Sequence, residues 1–140
     1  MSKVAVVFWT GTGNTGAMAN AVAEGAKAAG AEVTLMGPSE FGSSRMAEFD
    51  AVAFGCPAMG AEVLEESEYE PMFEEVESSL SGKKIGHFGS YGCGDGQWMR
   101  DWEDRVRAAG ANLAADPVMA NNAPNEDALD DCKSLGRALA

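Results

Sequence analysis

The sequence predicts an α/β fold: a doubly wound sheet of five parallel strands in the order 2-1-3-4-5, with helices on both faces. Short apolar runs alternate five times with segments whose apolar residues recur every three or four positions. This pattern is typical of parallel strands joined by right-handed helical crossovers. Glycine-rich stretches follow the first, third and fourth apolar runs. In this strand order those three loops meet at the sheet edge where ligands bind.

The first elements are defined by apolar spacing and by glycines. Val4–Phe8 is a short, bounded, valine-rich run of the kind found in buried parallel strands. A helix is predicted over Asn14–Ala29, because its apolar residues form one stripe and Gly30 follows its last turn. A second strand is predicted at Glu32–Met36, and a loop at Gly37–Ser44.

The rest of the chain continues the alternation, with proline and glycine marking the ends of elements. The predicted elements are a strand at Asp50–Gly55, a helix at Pro71–Leu80, a strand at Lys83–Gly89, a helix at Gln97–Ala109, a strand within Asn112–Met119 and a helix at Glu126–Leu139. No repeat or linker interrupts the pattern, so residues 1–140 are expected to form a single domain.

The loop after the first strand, Trp9–Thr15, predicts a phosphate site. Its glycines allow a tight turn that points backbone N–H groups at one place, and the following helix adds the positive end of its dipole. Four side chains can donate further hydrogen bonds: Thr10, Thr12, Asn14 and Thr15. The loop lacks the lysine of nucleoside-triphosphate loops. Its glycines have the spacing of the dinucleotide-binding pattern. That pattern also needs an acidic residue at the end of the second strand to bind the ribose, and Glu32 lies at the start of that strand instead.

Charge and cysteine usage narrow the class of protein. A net charge of −12 argues against nucleic acid and anionic membranes as partners, and favours basic protein surfaces. The three cysteines are far apart and match neither a disulfide framework nor a metal-ligand spacing. The only histidine, His87, lies within an apolar run and is interpreted as structural. With no signal peptide or long apolar segment in the sequence, a cytoplasmic location is expected.

Three strings in the expected order and spacing resemble the short-chain flavodoxins of anaerobic bacteria. They are Trp9–Thr15, Gly55–Gly60, and Phe88–Gly92 with Gly94–Gly96. The resemblance covers essentially the whole chain. It implies the flavodoxin-like fold and flavin mononucleotide (FMN) as the cofactor. The implied FMN-binding residues are Trp9, Thr10, Gly11, Thr12, Gly13, Asn14, Thr15, Pro57, Ala58, Met59, Gly60, Ala61, Glu62, Ser90, Tyr91, Gly92, Cys93, Gly94 and Asp95.

The resemblance also implies individual roles. The first loop would hold the phosphate, and Met59 would pack on the inner face of the flavin. Gly60 would turn its carbonyl towards flavin N5 once N5 carries a proton, and Glu62 would accept a hydrogen bond from flavin N3. The segment Ser90–Gly94 would lend backbone groups to the pyrimidine end. At Cys93 close relatives have a tryptophan that stacks on the outer face; here Tyr91 or Trp98 could cover that face instead, or it could be more exposed.

The function implied is low-potential transfer of single electrons in place of ferredoxin, without enzymatic activity of its own. Expected partners are basic docking surfaces of redox enzymes, such as pyruvate oxidoreductase and flavodoxin or ferredoxin reductase, and the protein is expected to be a monomer. The alternative is a small FMN-dependent quinone or nitro reductase on the same fold. A phosphoacceptor receiver domain is set aside, because the first and third strands end in Trp9-Thr10 and Gly55-Cys56 instead of an acidic cluster.

Overall fold

The computed structural model describes residues 2–11, 13–59, 64–92 and 96–140. These described residues form six strands and five α-helices, in the order β1 Lys3–Phe8, α1 Asn14–Ala28, β2 Glu32–Met36, α2 Ser43–Met46, β3 Ala51–Gly55, α3 Tyr69–Glu77, β4 Lys84–Tyr91, α4 Gln97–Ala108, β5 Asn112–Leu113, β6 Val118–Asn121 and α5 Glu126–Leu139. All strand pairs are parallel and the order is β2-β1-β3-β4-β5, with β6 also on β4. The predicted fold class and strand order are confirmed.

The fifth position of the sheet differs from the prediction of one continuous strand. Two short segments share it: β5 pairs with the start of β4, and β6 pairs with β4 over Phe88–Tyr91. Pro117 lies between them and has no N–H to donate to a ladder. Pairing with β6 also lengthens β4 to Tyr91, two residues beyond its predicted end.

The predicted loop over Gly37–Ser44 is wrong in part. It contains a 3₁₀ turn at Pro38–Glu40 and the start of α2. The carboxylate of Glu75 in α3 accepts the N–H of Ser43 at 2.7 Å and so caps α2. Because the cap comes from a residue 32 positions away, nothing local in the sequence indicates this helix. The predicted bounds of α3, Pro71–Leu80, also differ from those of the structure, where the helix runs over Tyr69–Glu77.

Alternate residues of the central strands pack into two hydrophobic cores, one on each face of the sheet. Val4 and Val6 face the α1 and α5 side, while Ala5 and Val7 face the α3 and α4 side. This is the period of two expected of a strand buried on both faces. The sheet is therefore covered on both sides, and its carboxyl edge is where the loops after β1, β3 and β4 meet.

His87 lies within the core, as its apolar surroundings in the sequence predicted. It is fully buried in β4, and its ring centroid lies 5.3 Å from that of Trp102. Among the described residues neither nitrogen of this ring has a hydrogen-bond partner. Burial lowers the pKa of His87 to about 4. The imidazole is therefore neutral near neutral pH.

Replacing His87 with Leu should remove an acid-dependent loss of stability. The unfolded chain takes up a proton at His87 below its ordinary pKa of 6.5, whereas the folded chain does so only near 4. The stability due to the neutral imidazole is therefore complete above pH 6.5 and is lost as the pH falls towards 4. Between pH 7 and pH 5 the parent should lose about 2 kcal/mol more than His87→Leu. Urea unfolding at both values measures this difference, and parallel pH profiles would contradict it.

Candidate functional site

The candidate site lies beyond the carboxyl ends of β1, β3 and β4. Backbone pairing continues past the strands: Trp9 N–H donates to Gly55 O at 3.1 Å, and Ala58 N–H donates to Ser90 O at 3.0 Å. These bonds hold the three loops around a cavity of about 290 Å³. Its lining residues are Trp9, Thr10, Gly11, Asn14, Thr15, Pro57, Ala58, Met59, Ser90, Tyr91, Gly92 and Asn122.

All of these lining residues except Asn122 were predicted from the sequence. Of the other predicted residues, Gly13 lies in the turn beside the cavity and is not part of its lining. The remainder lie outside the described residues: Thr12, Gly60, Ala61, Glu62, Cys93, Gly94 and Asp95. The roles of all these residues towards a cofactor stay predictions.

One end of the cavity suits an anion. The Thr10 hydroxyl oxygen accepts the N–H of Gly13 at 3.0 Å and closes a turn in which Gly13 has φ +94°. α1 begins at the next residue with no acidic side chain in its first turn. N–H groups in a first turn have no acceptor within their own helix, and the helix dipole is positive there. Asn14 and Thr15 bring this turn to the cavity wall.

The hydroxyl of Thr15 is also part of a contact between two loops. It lies 3.2 Å from the Ser90 hydroxyl, and the Ser90 N–H donates to it at 3.4 Å. Both side chains are buried. The start of α1 is thereby joined to the end of β4. Hydrogen bonds to the end of β4 therefore fix the position of the loop that would hold an anion at the first turn of α1.

The opposite part of the cavity is apolar. Pro57, Ala58 and Met59 form one wall. Tyr91 contributes an aromatic ring, which lies against Trp98 with centroids 5.5 Å apart. Trp98 is only 2% exposed, and its indole N–H donates to Cys56 O at 3.1 Å. Of the two aromatic residues considered as covers for the outer flavin face, Tyr91 therefore lines the cavity and Trp98 packs beneath it.

The close approach of β3 and β4 explains why residue 89, beside the site, is a glycine. A methyl group at Gly89 would collide with the carbonyl oxygen of Cys56 and lie 3.2 Å from the Trp98 ring. Only glycine leaves room for this carbonyl and for the indole that binds it. Gly89 thus serves the packing of the protein itself and not the approach of a ligand.

Asn122 is the lining residue that sequence reasoning missed. Its φ of +59° is left-handed, a conformation that asparagine tolerates better than most residues. Its N–H donates to Tyr91 O at 2.7 Å, and the Asn121 amide donates to Gly92 O at 3.3 Å. The asparagine pair Asn121-Asn122 at the end of the final strand was the available signal, since asparagine is typical of turns.

Cys56 directly precedes Pro57, the first residue of the apolar wall. Burial raises the pKa of the Cys56 thiol to about 12, so the thiol is neutral. Within the described parts of the chain, no cluster of three or more histidine, cysteine or acidic side chains is placed to hold a metal ion. None of the described helices combines the length and apolar character needed to cross a bilayer.

The described lining residues thus form a cradle for an anion at one end of the cavity and an apolar slot at the other.

Comparison with known proteins gives consistent matches over nearly the whole chain. The family model described as flavodoxin matches residues 6–136. The chain is 44% identical over 135 residues to a flavodoxin from Clostridium beijerinckii, covering 96% of this chain and 97% of that one. It is also 44% identical over 140 residues to one from Megasphaera elsdenii, covering 98% of each. The solution structure of two-electron reduced Megasphaera elsdenii flavodoxin superposes with a TM-score of 0.90 at 43% identity, over 97% of both chains.

Proposed function

The chain belongs to the flavodoxin family, and from this premise we propose that the cavity at the strand ends is its FMN site. The protein is an FMN-containing electron carrier and not an enzyme. The observation that carries the site assignment is the combination in one cavity of an anion cradle and an apolar slot. A phosphate joined to a flat ring matches both ends.

In this proposal the phosphate lies at the first turn of α1. Asn14 and Thr15 would offer backbone N–H groups, and Thr10 still has a hydroxyl hydrogen to donate, because its oxygen acts as acceptor in the turn. The predicted donor Thr12 belongs to the same proposal. The dianion would be neutralised by hydrogen bonds and by the helix dipole and not by a cation.

The ring would lie between Met59 and Tyr91, with Pro57 and Ala58 excluding water from its edge. Bound FMN supplies one-electron redox chemistry, and the protein tunes it. A net charge of −12 disfavours adding negative charge to the site, which supports a low potential and a role in place of ferredoxin. The roles inferred for Gly60 and Glu62 towards N5 and N3 of the flavin are part of this proposal.

Partners of this carrier are redox enzymes, and we infer that they dock through basic surfaces. The acidic charge of the chain supports this, because complementary charge speeds encounter and orients the partners. Enzymes of the pyruvate oxidoreductase and flavodoxin or ferredoxin reductase types fit this description, with the carrier acting as a monomer. The buried free thiols of Cys56 and Cys132 support a reducing compartment such as the cytoplasm.

The purified protein should be yellow, and its apoprotein should regain the flavin spectrum with one equivalent of FMN. It should not oxidise NADH or NADPH at a steady rate with quinone or nitro acceptors until a separate reductase is added. Sustained turnover without a reductase would favour the alternative of a small flavin reductase. The two relatives that are 44% identical over nearly the whole chain lend that alternative no support, since both are flavodoxins.

A further inference from the structure

The apolar wall Pro57–Met59 is held by hydrogen bonds at two points. Within the wall, Ala58 N–H donates to Ser90 O at 3.0 Å. Directly before it, the sulfur of Cys56 accepts the N–H of Glu65 at 3.3 Å. Glu65 therefore contacts the residue that links β3 to the wall.

The carboxylate of Glu65 accepts four hydrogen bonds from described residues at the start of α3. It accepts the hydroxyl and N–H of Ser67 and the N–H groups of Glu68 and Tyr69, the last two at 2.7 and 2.9 Å. Burial alone would raise the pKa of Glu65, but these bonds outweigh it and lower the pKa to about 2. The charged carboxylate thus satisfies the first turn of α3 and complements its dipole.

The helix that Glu65 caps is itself anchored to β1. The hydroxyl of Tyr69 donates to Val7 O at 2.8 Å, and its fully buried ring packs edge-on against Trp102. Glu65 therefore connects the start of α3 to β3 through Cys56 and to β1 through Tyr69. These are the two strands between which the cavity opens.

We propose that Glu65 is a positioning residue for the flavin: by holding Cys56, which directly precedes the apolar wall Pro57–Met59, it sets how closely that wall packs on the ring. The inference rests on the proposed function, because that proposal places the ring against Met59. Glu65 itself does not line the cavity and acts through Met59.

The test compares Glu65→Gln with Glu75→Gln in the full chain. Glutamine keeps the shape of Glu65 but replaces one acceptor oxygen with an NH₂ group, which cannot accept the backbone N–H groups that the carboxylate binds. Glu75 is a matched control, since its carboxylate caps α2 at Ser43 in a different part of the fold. We expect Glu65→Gln to weaken both FMN and riboflavin about tenfold and by the same factor, because Met59 lies at the ring end of the cavity. Glu75→Gln should stay within twofold of the parent.

A second measurement needs no flavin. In apoprotein labelled with ¹³C at the methionine methyl groups, Glu65→Gln should shift the Met59 signal, which Met59→Leu identifies, and Glu75→Gln should leave it in place. If Glu65→Gln fails to fold, Ser67→Ala removes one donor to the same carboxylate and should weaken both flavins two- to threefold. A folded Glu65 variant with parental flavin affinities and an unmoved Met59 signal would overturn the inference, as would a loss confined to FMN. A parent protein that binds neither flavin would instead refute the proposed function, and the Met59 signal would still decide the role of Glu65.

Discussion

Riboflavin is expected to bind the apoprotein about a thousandfold more weakly than FMN. Both share the ring that the apolar slot would hold, so the difference isolates the phosphate. Each hydrogen bond to a charged group contributes about 1.5–3 kcal/mol, and two such bonds, about 4 kcal/mol, correspond to a factor of a thousand. Fluorescence titration of the apoprotein with each flavin measures the ratio. Equal affinities would contradict the placement of the phosphate at the 10–15 loop.

The double variant Thr12→Ala, Thr15→Ala should remove most of that preference. We expect FMN binding to weaken by about 3 kcal/mol, the lower limit for two hydrogen bonds to a charged group, with little change for riboflavin. Thr34→Ala is a suitable control, because Thr34 is an exposed threonine on β2. Since the Thr15 hydroxyl also contacts Ser90, unfolding should be measured alongside binding. A loss of equal size for both flavins would show that the variant acts through the fold and not through the phosphate.

Gly25→Ala is expected to be among the most destabilising single substitutions in this chain. A methyl group at Gly25 would collide with the backbone carbonyl of Lys133, and one at Gly136 would collide with that of Val22 and lie 2.8 Å from Ala26 N. α1 and α5 thus touch backbone to backbone at a reciprocal pair of glycines. Relieving either collision requires the helices to separate, which should cost about 3 kcal/mol or more and lower the melting temperature by on the order of 10 °C.

Gly16→Ala is the matched control for this prediction. Gly16 lies in the same helix, but a methyl group there would meet only the Thr10 side chain at 3.4 Å, an ordinary contact. Replacing a helical glycine with alanine gains up to about 1 kcal/mol of helix propensity, so Gly16→Ala should be neutral or stabilising. Gly136→Ala should resemble Gly25→Ala. Thermal unfolding of all three variants tests the helix contact, and a Gly25→Ala variant as stable as Gly16→Ala would contradict it.

Elements with local signals were predicted closely. The last helix has its predicted bounds because its ends are marked locally: Asn125 accepts the N–H of Ala128 at 2.9 Å and caps the start. The second strand, Glu32–Met36, was likewise predicted with the observed bounds. The less accurate predictions concern α2, α3 and the final strand. Glu75, 32 positions away, caps α2. The Glu65 carboxylate binds the N–H groups of Glu68 and Tyr69, so α3 starts before Pro71, and the final strand pairs with β4 as two segments, β5 and β6.

By itself the sequence determined the alternation of strands and helices, the strand order and most of the cavity lining. The alternation and the strand order follow from apolar spacing and glycine placement within short stretches, whereas most of the individual lining residues follow from the resemblance to flavodoxins. Only the tertiary structure decided that Trp98 packs beneath Tyr91, that Asn122 completes the cavity and that Gly25 and Gly136 join two helices. Each of these features depends on contacts between residues that are far apart in the chain, and such contacts produce no periodic pattern in the sequence.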